Sequence, residues 1–151
     1  MKDLKPILLV EDDPRDAELT LLALSDNKLA NRVTIVNDGV EALEYLHYEG
    51  KYKMRKKLNP AVILLDIKMP RLDGIEVLKI IKKDENLKII PVVMLSSSRE
   101  NPDLNKCYEL GANAYVVKPV DFNEFVDSVK NIGIFWALVN EIPPQKTEKN
   151  G

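Results

Sequence analysis

The chain has 151 residues, 45% of them hydrophobic and 30% charged, which fits one compact domain and leaves no room for a separate output domain. Its 22 Lys+Arg against 24 Asp+Glu give a formal charge of −2, so there is no global basic field to drive nucleic-acid binding. The single Cys107 closes no intramolecular disulfide and supports no zinc cluster, no apolar run reaches the roughly 18 residues that cross a bilayer, and Met1 to Lys5 is too polar for a signal peptide. A soluble cytoplasmic protein with no membrane or nucleic-acid partner is expected.

In chain order, Ile7-Leu8-Leu9-Val10 is a short apolar run stopped by acids, as a strand buried on both faces is. Asp13 then reads as an N-cap and Pro14 as the first residue of a helix with Ala17, Leu21 and Leu24 on one face. Arg32 to Val36 predicts a second strand, Asn37-Asp38-Gly39 a turn, and Val40 to Tyr48 a helix burying Leu43 and Leu46. Lys51 to Asn59 breaks the pattern. Ala61-Val62-Ile63-Leu64-Leu65 is the strongest buried-strand signal and ends on Asp66. Asp73-Gly74 opens a helix with Ile75, Leu78 and Ile81 inward. Pro91 to Leu95 predicts a strand running into Ser96-Ser97-Ser98, followed by a helix over Pro102 to Leu110. Ala114-Tyr115-Val116-Val117 predicts a fifth strand, ending on Lys118-Pro119. A long last helix is expected from about Asp121 to Asn140, before a polar tail expected to be disordered.

Five strands alternating with five helices predict an α/β fold, a parallel sheet covered on both faces, because parallel neighbours need right-handed crossovers. Glu11, Asp12, Asp66, Ser96 and Lys118 all fall at carboxyl ends of predicted strands, the edge where open α/β sheets bind ligands. Carboxylates converging there repel one another unless a cation sits among them. With no nearby His or Cys, the group suits octahedral Mg²⁺ with open positions for phosphate oxygens. Lys118 adds a fixed positive charge and Ser96 a hydroxyl, so a nucleophilic carboxylate lies among groups that neutralise a phosphoryl transition state.

Val10-Glu11-Asp12-Asp13, Asp66-Ile67-Lys68-Met69-Pro70-Arg71-Leu72-Asp73-Gly74, Leu95-Ser96-Ser97 and Val117-Lys118-Pro119 resemble, in order and spacing, the signature of two-component response regulator receiver domains, over about Pro6 to Asp127. The resemblance implies a doubly wound, flavodoxin-like sheet of five parallel strands with five helices and an extended C-terminal helix. The domain is expected over residues 1–142, with 143–151 as a polar tail. The resemblance makes Asp66 the phosphoacceptor, serving a sensor histidine kinase. It makes Asp12 and Asp66 direct Mg²⁺ ligands, joined by the Lys68 backbone carbonyl and by Glu11 through water. Ser96 becomes the switch hydroxyl that moves towards the phosphoryl group, Lys118 the ion-pair partner of that group, Pro119 a cis-proline and Tyr115 the aromatic switch. The domain catalyses only its own phosphorylation and dephosphorylation. A haloacid-dehalogenase-type phosphatase would carry a second Asp two residues after the nucleophile, where this chain has Lys68. A phosphorylation-independent interaction module of the same fold would need damaged site residues, and none is missing.

Other residues take plainer readings. Asp13 before Pro14 is a cap rather than a ligand, His47 is a surface residue remote from the strand ends, and Cys107 is a small packed side chain. Lys51, Lys53, Arg55, Lys56 and Lys57 form a solvated loop or, with Tyr52 and Met54 interleaved, a contact for an acidic partner. In the last helix, Phe122, Phe125, Val129, Ile132, Trp136 and Val139 make one apolar seam towards the sheet. Phe135, Leu138 and Ile142 fall on another side, which is either a locally widened core or a surface for self-association. The Lys51 to Asn59 insertion and the run from Phe135 to Pro143 resemble single-domain regulators that partner bacterial phytochromes, which implies a homodimer through the last helix and the strand before it, and a light-regulated kinase partner.

Overall fold

The computed structural model describes residues 5–25, 32–96, 101–118, 122–136 and 140; of Asn101, Pro102, Phe122 and Phe125 it describes the backbone alone. The elements run β1 (Ile7–Val10), α1 (Pro14–Ala23), β2 (Val33–Val36), α2 (Gly39–Leu46), β3 (Val62–Asp66), α3 (Gly74–Lys83), β4 (Val92–Ser96), α4 (Asn101–Glu109), β5 (Ala114–Val117) and α5 (Phe122–Ile134). All strand pairs are parallel and the order is β2-β1-β3-β4-β5. The expected five-stranded doubly wound sheet is therefore present, with its change of direction between β1 and β3.

The continuous apolar runs form strands because both faces are covered. Successive side chains alternate between the faces: Leu8, Val10, Ile63, Leu65, Val92 and Met94 join the core under α2, α3 and α4, whereas Ile7, Leu9, Val62, Leu64, Val93 and Leu95 join the core under α1 and α5. Helix starts follow their caps. The carboxylates of Asp13, Asp38 and Asp73 accept from the backbone N–H of Arg15, Glu41 and Glu76 respectively, so Asp13 is the expected cap. In α1 the buried set is Ala17, Thr20 and Ala23, with Leu24 at the C-cap, and Leu21 is only half-buried. Thr20 fits the core because its hydroxyl donates to the Asp16 carbonyl at 2.9 Å, leaving its methyl free to pack. Likewise Ala42, Tyr45 and Leu46 of α2 are buried while Leu43 is half-buried.

The last helix departs from expectation at its end. Regular α-helix stops at Ile134, Phe135 and Trp136 take the wider π conformation, and Asn140 N–H donates to Phe135 O. Gly133, a poor helix former, lies at this changeover. Val129 is buried, and Ile132 and Trp136 pack on the α1-side core, whereas Phe135 is 47% exposed. The described part of the seam therefore faces the sheet, and Phe135 lies off it. Leu138 and Ile142, like Pro119 and the 143–151 tail, lie outside the described residues.

The insertion between α2 and β3 is built around one cation. Arg55 donates from Nε to Tyr45 O (2.8 Å) and from Nη1 to Lys56 O and Leu58 O (both 3.1 Å). Its guanidinium also lies 3.8 and 4.1 Å from the ring centroids of Tyr45 and Tyr48. Tyr48 has φ +59, a left-handed conformation that disfavours bulky residues, and its contact with Arg55 offsets that strain. Met54 remains 91% exposed on this frame. Arg55→Ala should lower stability by about 2 kcal/mol in urea denaturation, through lost charged hydrogen bonds and cation–π contacts; a loss near zero would show that the loop is not held by Arg55. His47, the C-cap of α2, has Nε2 3.0 Å from Asp84 Oδ2, far from the strand-end cluster as expected. Cys107 is buried, and burial pushes its thiol pKa up to about 11, in keeping with a packing role. Among the described residues, no helix is long and apolar enough to cross a membrane.

Candidate phosphoryl and metal site

The carboxyl ends of β1, β3, β4 and β5 converge on an open depression of about 420 Å³. β1 delivers Glu11 and Asp12, β3 ends on Asp66, β4 on Ser96, and Lys118 follows β5. Register explains the convergence: Val10 lies opposite both Val36 and Leu65, Asp66 opposite Leu95, and Ser96 opposite Val117. Backbone bonds lock these ends, with Glu11 N–H donating to Val36 O (3.0 Å) and Lys118 N–H to Ser96 O (2.6 Å). Lys68 lines the depression as an exposed residue. Tyr115 sits half-buried on β5, packed against the core under α2 to α4.

Charge dominates the site. Carboxylate oxygens of Glu11, Asp12 and Asp66 lie within 4.8 Å of one another, a spacing that suits a divalent cation. The Lys118 ammonium, on a side chain only 8% exposed, bonds Glu11 Oε1 and lies 2.9 Å from Asp16 Oδ2 and 3.1 Å from Asp66 Oδ1. Burial pushes the Glu11 pKa up to about 7, against the pull of Lys118 and with a further push from Asp66. Burial likewise raises Asp66, with Lys118 opposing. The Lys118 pKa is raised despite its burial, because Glu11, Asp16 and Asp66 favour the ammonium. An all-oxygen donor set holding excess negative charge fits a hard cation such as Mg²⁺, which must displace the proton that Glu11 retains. Apparent Mg²⁺ affinity should therefore rise as pH goes from about 6 to 8, by up to about tenfold per unit below pH 7. Calorimetric titration checks this, and a flat profile would contradict it.

The structure thus gathers Glu11, Asp12, Asp66, Lys68, Ser96 and Lys118 in one place. It also adds Asp16, which motif reasoning passes over. Its signal was available, since an Asp13 cap and a Pro14 start place Asp16 in the first helical turn, beside the strand ends.

A family model for the response regulator receiver domain matches residues 7–130. The chain belongs to that family. The relatives of this receiver bear out the narrower resemblance too, since its close homologues are phytochrome-associated response regulators of two-component systems. Response regulator Rcp1 of Synechocystis sp. is 36% identical over 139 residues, 92% of this chain and 93% of Rcp1. The crystal structure of the Mn²⁺-bound form of Rcp1 superimposes with a TM-score of 0.84 at 36% identity, over 93% of this receiver and 99% of that chain. That of the phosphorylated cyanobacterial phytochrome response regulator RcpA gives a TM-score of 0.85 at 39% identity, over 94% of this receiver and 100% of RcpA. The bacteriophytochrome response regulator RtBRR is 58% identical with a TM-score of 0.76, over 94% of this receiver and 86% of that chain.

Proposed function

We propose that this receiver takes a phosphoryl group from a phytochrome-type histidine kinase onto Asp66, in the cytoplasm, and signals through its own surface. What supports the reading is the 3.1 Å pairing of Lys118 with Asp66 inside a carboxylate triad. Asp12, Asp66 and the Lys68 carbonyl would hold Mg²⁺, with Glu11 acting through water, and the ion would supply positive charge to neutralise phosphoryl oxygens. An Asp66 oxygen attacks phosphorus, the P–N bond to the donor imidazole breaks, and the imidazole nitrogen leaves with the electron pair. Lys118 counters the charge developing on the phosphoryl oxygens and also favours the ionised Asp66 that attack requires. The Ser96 hydroxyl moves to the new dianion and vacates space for Tyr115 to rotate, so one local contact biases a two-state surface. Water attacking the phosphorus of the acyl phosphate later returns Asp66 to a carboxylate. Incubation with acetyl phosphate and Mg²⁺ should give a single alkali-labile phosphoryl group, and no incorporation would overturn the reading.

The receiver also forms a homodimer through the end of its last helix, around Phe135 with Leu138 and Ile142, and binds neither nucleic acid nor membrane. Exposed Phe135 stacks edge-to-face on Trp136 with centroids 4.9 Å apart, a preorganised aromatic pair of the kind interfaces use. Phe135→Glu should shift sedimentation towards monomer with unchanged circular dichroism, and an unaltered sedimentation profile would remove this interface.

A further inference from the structure

Asp16 lies outside the four motifs, yet its Oδ2 is 2.9 Å from the Lys118 ammonium. An ammonium has three protons, and the three carboxylates around Lys118, those of Glu11, Asp16 and Asp66, match them one for one. The three acceptors are not equivalent. Glu11 and Asp66 belong to the cluster suited to a cation, so each divides its oxygens between two positive charges. Asp66 must also yield its contact when a phosphoryl group is attached to it. Asp16 is outside that cluster and on a separate mount, the first turn of α1, where its backbone carbonyl takes the Thr20 hydroxyl. A lysine stem has four rotatable carbons and much rotamer freedom. An ammonium held only by groups that change partners would therefore lose its aim during the reaction.

We propose that Asp16 is a positioning residue, anchoring the Lys118 ammonium towards Asp66 while Glu11 and Asp66 are drawn to other partners. The inference rests on Asp66 being the phosphoacceptor. Its electrostatic opposite is equally concrete: a further anion in the depression, 35% exposed, could instead repel an incoming phosphoryl donor, and its removal would then speed the reaction.

Two variants separate the alternatives, because Asp16→Asn keeps an oxygen acceptor without the charge and Asp16→Ala removes both. Without any phosphodonor, exchange of the Lys118 ammonium protons with water, followed by ¹H–¹⁵N NMR, should accelerate roughly tenfold in Asp16→Ala and much less in Asp16→Asn. With acetyl phosphate and Mg²⁺, the saturating phosphorylation rate should fall roughly tenfold in Asp16→Ala, with Asp16→Asn close to wild type and the Mg²⁺ dissociation constant within about twofold. A rate at or above wild type in Asp16→Ala, unchanged ammonium exchange, or equal losses in both variants would each overturn the proposal. Failure of the underlying reading shows itself elsewhere, as label surviving in Asp66→Asn, while the exchange measurement still reports the anchor.

Discussion

Asp66→Asn will take up no phosphoryl group from acetyl phosphate or from a histidine kinase, a loss of at least about a thousandfold, because the substitution removes the nucleophilic oxygen itself. The variant should stay folded, since the carboxamide is isosteric and burial already disfavours the ionised acid. Asp13→Asn is the matched control. It alters an acid adjoining the same depression, but that side chain caps α1 through Arg15 N–H at 2.8 Å, and Asn caps as well as Asp. Label in the first variant, or its loss in the second, would mean that another carboxylate accepts the phosphoryl group.

Gly74→Ala is expected to be strongly destabilising. A Cβ at Gly74 would meet the Asp66 carbonyl oxygen at 2.1 Å and Ile67 Cα at 2.8 Å. Both are backbone atoms, and they cannot swing aside as a flexible side chain can. Gly74 N–H also donates to Ile67 O at 2.7 Å, which holds the start of α3 against the end of β3. Relief of the clash must move either the helix or the strand end that carries Asp66. A destabilisation of about 3 kcal/mol in denaturant titration is expected, at the upper end for overpacking, together with loss of Mg²⁺ affinity. The two effects share one cause, so a variant of normal stability with impaired metal binding would be as informative as the reverse. Unchanged stability would show that α3 can retreat from the sheet at little cost.

The architecture was legible because continuous apolar runs have few alternatives once helical segments separate them: Ile7 to Val10 and Val62 to Leu65 had to be central parallel strands. Most of the site was legible for the same topological reason, since strand ends bring Glu11, Asp66, Ser96 and Lys118 to one edge. Less accessible were features that depend on which way a side chain turns within a turn of helix. Thr20 reads as polar until its hydroxyl is seen bonded to Asp16 O. Asp16 reads as a helix-start acid until Lys118, 102 residues further along the chain, reaches it. The Arg55 frame was equally hidden, because Lys and Arg in a basic run look alike on paper. Only a planar guanidinium can reach three carbonyls while lying against two tyrosine rings.

That frame lies between the end of α2 and the start of β3, at the amino edge of the sheet, while the phosphoryl depression occupies the carboxyl edge. The length of a strand, roughly 16 Å for five residues, therefore lies between the Arg55 frame and the chemistry, although Lys51 of the insertion reaches back to Glu41 in the first turn of α2 at 3.4 Å. None of the groups that hold Arg55 lines the depression, so the free-energy effects of substitutions at Arg55 and at Asp66 should add. The outward positions of the insertion can then vary from one regulator to another with no compensating change around Asp66, provided that Arg55 and its two tyrosines are kept.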